Sequence, residues 1–91
     1  MKLTNKLTTD YTLVHINIPT DKGTEHYQVE IDRPDMDEDI FCVSIYDLDS
    51  DGRTLYGRFN IDSNYGMFDD RELDEREDLM LLFIANRLRL D

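Results

Sequence analysis

Residues Tyr11–Ile31 read YTLVHINIPTDKGTEHYQVEI, and this stretch decides the fold. Apolar and polar residues alternate on both sides of Thr20-Asp21-Lys22-Gly23, the pattern of two half-buried strands joined by a hairpin loop. In Tyr11–Ile18, Val14, Ile16 and Ile18 share one face, with His15 and Asn17 on the other. In Glu25–Ile31, Tyr27, Val29 and Ile31 oppose His26, Gln28 and Glu30. Pairing Pro19 with Thr24 sets Val14 against Val29 and Ile16 against Tyr27. Both apolar faces then coincide, as register demands.

The same reading extends along the chain. Arg33-Pro34-Asp35 ends the second strand, because proline cannot donate to a ladder. Ile40–Tyr46 directs Phe41, Val43 and Ile45 inward and Cys42, Ser44 and Tyr46 outward. Leu55–Ile61 directs Leu55, Phe59 and Ile61 inward and Tyr56, Arg58 and Asn60 outward. Asp51-Gly52 marks the turn between them. Pairing Ile45 with Leu55 there sets Phe41 opposite Phe59 and small Gly57 opposite Val43.

After Ser63-Asn64-Tyr65-Gly66 the period becomes helical, from about Asp69 to Leu90. Leu73, Met80, Ile84 and Leu88 form one stripe, which Leu79, Leu82, Phe83 and Leu90 broaden. Asp69 or Asp70 is the expected cap, and acidic first turns with Arg87 and Arg89 near the end suit the helix dipole. The expected fold is α+β: a four-stranded antiparallel β-meander with one C-terminal helix packed on its apolar face, as a single domain over residues 1–91. Residues 1–10 read as an edge strand or a short helical turn. The apolar run Leu79–Ile84 covers more of the helix than one sheet face needs, which leaves monomer and homodimer both open.

At 40% hydrophobic residues the chain is unlike disordered acidic sequences, which lack the means to build a core. One cysteine, Cys42, precludes an internal disulfide and suits a reducing cytosol. No basic start followed by an apolar run opens the sequence, so no secretory leader is expected. The longest apolar run, Leu79–Ala85, falls far short of the roughly 20 residues that cross a bilayer. A cytoplasmic protein with no membrane partner is expected.

Charge is the feature that points toward function. Residues 32–80 hold sixteen Asp/Glu against five Arg, while the rest of the chain nearly balances within a net −11. The acids fall in two parts: Asp35, Asp37, Glu38 and Asp39 between strands, and Asp69, Asp70, Glu72, Asp74, Glu75, Glu77 and Asp78 around the helix start. Arg71 and Arg76 stand at i,i+4 spacing from Glu75 and Glu72, so two helical ion pairs are expected. The plain explanation of such acidity is solubility. The sharper one is phosphate mimicry, because a rigid array of aspartates presents to a basic groove the charge that duplex DNA presents, one per ~1.7 Å of axis. The partner-facing set is then Asp35, Asp37, Glu38, Asp39, Asp69, Asp70, Asp74, Glu77 and Asp78. Direct binding of nucleic acid is disfavoured by like charge.

Three other features invite a reading. Asp47-Leu48-Asp49-Ser50-Asp51-Gly52 matches the opening of a calcium loop, with Asp47, Asp49 and Asp51 as oxygen ligands. The required twelfth-position glutamate is Arg58 and the flanks read as strands, so a charged hairpin loop is the better account. His15, His26 and Cys42 share the outer sheet face, but the register puts the histidines diagonal at roughly 7–8 Å, too far for a tight zinc site. Tyr46 and Tyr56, diagonal neighbours in the expected register, make that face a second candidate for partner binding. No nucleophile elbow, phosphate-binding glycine loop or H-E-x-x-H is present, and no cofactor or enzymatic activity is expected.

In size, acidity and strand–helix composition the whole chain resembles the small inhibitors that phages use against host nucleases, anti-CRISPR and anti-restriction proteins among them. The likeness is one of class and assigns no residue a role. It implies a phage or mobile-element inhibitor that blocks a basic nucleic-acid-binding surface. Two alternatives stand beside it: an immunity or antitoxin protein for a basic toxin nuclease, and a calcium-modulated interaction domain.

Overall fold

The computed structural model describes residues 10–90, with side chains through Asn86. Residues 1–9 lie outside the described residues, as do the side chains of Arg87, Leu88, Arg89 and Leu90, so the readings of those positions stand as expectations only. The elements are β1 (Tyr11–Thr20), β2 (Gly23–Asp32), β3 (Phe41–Asp49), β4 (Gly52–Ile61) and α1 (Glu75–Leu90). The strands form one antiparallel sheet in the order β1-β2-β3-β4, and α1 completes the expected α+β meander.

The period-two pattern becomes the core. Val14, Ile16 and Ile18 of β1, Tyr27, Val29 and Ile31 of β2, Phe41, Val43 and Ile45 of β3, and Phe59 and Ile61 of β4 are all buried in one cluster with Met80 and Ile84 of α1. The first hairpin has the expected register, with Val14 opposite Val29, Ile16 opposite Tyr27 and Asn17 opposite His26. A two-residue loop leaves it no slack.

The second hairpin corrects the expected register. Phe41 lies opposite Ile61, Val43 opposite Phe59 and Ile45 opposite Gly57, and beyond Ile45 the pairing shifts so that Tyr46 faces Leu55. Tyr56 is the extra residue of a β-bulge, which offsets the pairing by one and re-aims the side chains beside it. Leu55, expected inside, is 48% exposed. Tyr56, expected on the outer face, instead meets the core residue Tyr27 edge to face, with ring centroids 6.1 Å apart. Tyr46 and Tyr56 therefore lie on opposite faces and form no tyrosine pair.

The helix begins at Glu75, later than expected, because the chain first runs back along β4. Met67 bridges Ile61, the Phe68 N–H donates to the Asn60 carbonyl at 3.0 Å, and the Asn60 N–H donates to the Asp69 carboxylate at 2.6 Å. Arg71 Nη2 reaches the Arg58 carbonyl at 3.2 Å. Edge groups that β4 would otherwise present are thus satisfied from within the chain. Leu73 packs on the core from this segment, ahead of the helix, while Leu82 and Phe83 of α1 are 58% and 42% exposed. Leu81 is partly buried against the core.

Candidate functional site

Acidic residues are the candidate site, and their surroundings divide them. The β2–β3 connection carries Asp35, Asp37, Glu38 and Asp39, all exposed. The Asp37 N–H donates to the Asp35 carboxylate at 2.9 Å, and Arg33 Nε donates to the Glu38 carbonyl at 3.1 Å, so the connection is built as a turn. Asp39 accepts from the Ser63 N–H at 3.2 Å and the Ser63 hydroxyl at 3.1 Å. Those two bonds tie the connection to the loop after β4. There Asp62 accepts the N–H groups of Asn64 and Gly66 at 2.8 and 2.9 Å, and Tyr65, at φ 66°, turns its ring against the core. Asp70 is exposed in the same segment. The acidic β2–β3 connection and the loop carrying Asp62 thus meet at one end of the sheet.

Asp69, Asp74 and Glu77 serve the fold. Asp69 covers the β4 edge. Asp74 is the N-cap of α1, where the expected Asp69 or Asp70 is not: the Glu77 N–H donates to Asp74 Oδ1 at 2.8 Å and the Asp74 N–H donates to Glu77 Oε1 at 3.1 Å. This reciprocal pair is a capping box. Glu77 is only 3% exposed. Arg71 grips its carboxylate with Nη1 to Oε1 at 2.9 Å and Nη2 to Oε2 at 2.5 Å. That bidentate pair lies over Gly57, where a Cβ would collide with Glu77 Oε2 and stand 3.2 Å from Cδ. Glycine is required there for space.

Electrostatics follow the contacts. Arg71 holds the Glu77 carboxyl below the ordinary glutamate range, against the opposing effect of burial, and Glu77 raises Arg71 in turn. The Glu77 N–H lowers Asp74, with the Tyr56 hydroxyl, donating at 3.0 Å, helping. Burial and the Asp74 carboxylate raise Tyr56. Tyr27 is pushed up to about 12 by burial and by its bond to Glu25. Neither expected helical ion pair forms, since Arg71 and Glu72 precede the helix; Arg71 pairs with Glu77, and Arg76 with Glu25 at 2.9 Å. Asp78 lies exposed in the first turn of α1.

The calcium candidate closes as a tight hairpin. Asp49 pairs with Gly52 across Ser50-Asp51, the Asp51 N–H donates to Asp49 Oδ1 at 2.9 Å, and Gly52 supplies φ 123°. Asp47 sits inside the ladder opposite Tyr27 and Thr54. On the outer face, Arg53 stacks on Tyr46 at 3.7 Å and donates to Gln28 at 2.8 Å, Gln28 meets His15 at 3.3 Å, and His26 meets Asn17 at 2.7 Å. Cys42 lies opposite Asp32 and Asn60. Among the described residues no three His, Cys, Asp or Glu side chains gather as metal ligands, and no helix is long and apolar enough to cross a membrane.

Sequence reading gave Gly57, Arg71 and Arg76 other partners and passed over Glu25; in the structure these four organise the helix start. The D-x-x-E spacing of Asp74 and Glu77 was one signal for the cap, shared by Asp69 and Glu72. No family model, curated protein or solved structure matches this chain.

Proposed function

We propose that this protein is a non-enzymatic inhibitor that occupies the basic nucleic-acid-binding surface of a nuclease or similar effector, as a mimic of phosphate charge. One observation carries the reading: the bonds from Ser63 to Asp39 fasten the exposed acidic connection to the loop after β4 and hold it at one end of the sheet. Asp35, Asp37 and Glu38 are exposed there and held by a turn whose backbone is already ordered. Preordered charge loses little entropy on docking, and electrostatic steering speeds the encounter. Asp69, Asp74 and Glu77 leave the partner-facing set, because the β4 edge, the helix cap and Arg71 occupy them.

The test is affinity capture from bacterial lysate with and without excess duplex DNA. The reading expects a nucleic-acid-binding protein that DNA displaces, and weaker capture by a chain with Asp35, Asp37 and Glu38 all changed to Lys. That reversal should also flatten the salt dependence of binding. A partner that DNA leaves in place, captured equally by the reversed chain, overturns it.

A further inference from the structure

Met80 and Ile84 bury one side of α1 in the core, and the side turned away from them is exposed at Glu75, Asp78 and Leu82, with Phe83 next to it. The residues of that side follow one another at spacings of three and four: Glu75, Asp78, Leu82, Asn86 and Arg89, which the helix places in its last turn. We infer that this face is the seam of a homodimer in which two copies of α1 pack antiparallel about a two-fold axis at Leu82. The inference stands apart from the proposed function, because the seam uses none of Asp35, Asp37 and Glu38.

Position and charge together select a second copy as the occupant. Glu75 and Arg89 stand seven residues either side of Leu82. An axis at Leu82 sets that side chain against its own copy and Glu75 against Arg89 of the second copy, once on each side. A parallel pair would set Glu75 on Glu75 and Arg89 on Arg89, so like charges oppose it. Leu79 and Phe83 lie on one flank of Leu82, and the axis brings that flank of one helix beside the same flank of the other. One exposed leucine is ordinary on a surface. Here an apolar centre lies between an acidic and a basic end, and an antiparallel copy meets both ends with opposite charge. Neither Glu75 nor Asp78 forms an ion pair among the described residues. The net charge of −11 on each copy works against association. A single helix face also falls below the roughly 1,200 Å² of a standard interface, so a Kd of about 10–100 μM is expected.

Sedimentation equilibrium of the full chain, from about 10 μM to about 1 mM, tests the seam against the monomer mass of 10.8 kDa. The mass should rise toward twice that value with concentration. Leu82→Glu should weaken association at least about tenfold and leave the melting temperature of the fold in place, since the side chain lies outside the core. Glu75→Arg and Arg89→Glu should each weaken it about threefold or more, and the chain carrying both changes should regain the parent's affinity. A monomer at every concentration overturns the inference. So does a dimer that Leu82→Glu leaves intact, or a doubly changed chain that associates no more tightly than either single variant.

Discussion

Asp35–Asp39 and Asp69–Asp78 are alike in composition and opposite in use. The first segment keeps its carboxylates at the surface and spends only Asp35 and Asp39 on local bonds. The second turns Asp69 onto a strand edge, Asp74 onto a helix terminus and Glu77 into a slot over Gly57. Burying a carboxylate costs several kcal/mol unless it is paired and hydrogen-bonded, and Arg71 with the Asp74 N–H supplies both. Net charge therefore overstates the surface available to a partner. What separates the segments is the neighbourhood, and mutation should expose the difference.

The largest effect belongs to Glu77→Ala, which removes the ion pair and half of the capping box. Thermal melts should show a loss of about 2–4 kcal/mol. Changing Asp35 and Asp37 to Asn and Glu38 to Gln should stay within about 0.5 kcal/mol. Equal costs in the two segments would erase the contrast. Acidity tests the same pair through its sign. Glu77 and Asp74 are both lowered in the folded state, so their contribution is complete above the ordinary carboxylate pKa of about 4 and is lost as pH falls through the depressed values. Acid titration of Glu77→Ala should show a shallower fall than the parent.

Next in size is Gly57→Ala, whose new methyl would drive the Glu77 carboxylate from its slot. A cost of about 1–3 kcal/mol is expected in the parent chain. In a Glu77→Ala background most of that cost should vanish, because the colliding atoms are gone. A double-mutant cycle measured by denaturant unfolding checks it, and additive costs would mean that Gly57 serves the strand instead of the carboxylate. Asp74→Ala follows at about 1 kcal/mol, the ordinary loss of an N-cap.

How much of this was legible follows from where the determinants lie. The register of β1 and β2 was readable because alternation and a two-residue loop decide it locally. That of β3 and β4 was not: the expected pairing is already one residue off at the turn, where Asp49 pairs with Gly52, and the bulge at Tyr56, which nothing local marks, adds a second. The helix start was misplaced because every Asp from Asp69 onward is an adequate cap by type. The D-x-x-E spacing does not distinguish the one used either, because Asp69 and Glu72 share it with Asp74 and Glu77. The division of the acids was invisible for a deeper reason. Glu77 differs from Glu75 only in having Arg71 and Gly57 across from it, and that juxtaposition exists only in the folded chain.

The smallest expected effect sharpens the contrast from the side of the exposed segment. Asp35, Asp37 and Glu38 lie close together in a tight connection, so their mutual repulsion opposes folding slightly. Salt screens exposed charges, with a Debye length near 10 Å at 0.1 M and about 3 Å at 1 M. Raising salt should therefore increase the melting temperature of the parent a little, and increase that of the Asp35→Asn, Asp37→Asn, Glu38→Gln chain less. The Asn side chain still accepts from the Asp37 N–H position, so the turn survives and charge alone changes. Glu77→Ala should keep most of the parent's salt response, since it leaves the exposed Asp35, Asp37 and Glu38 in place. If the triple variant responded to salt as strongly as the parent, the exposed segment would carry no repulsion worth selecting for a partner to relieve.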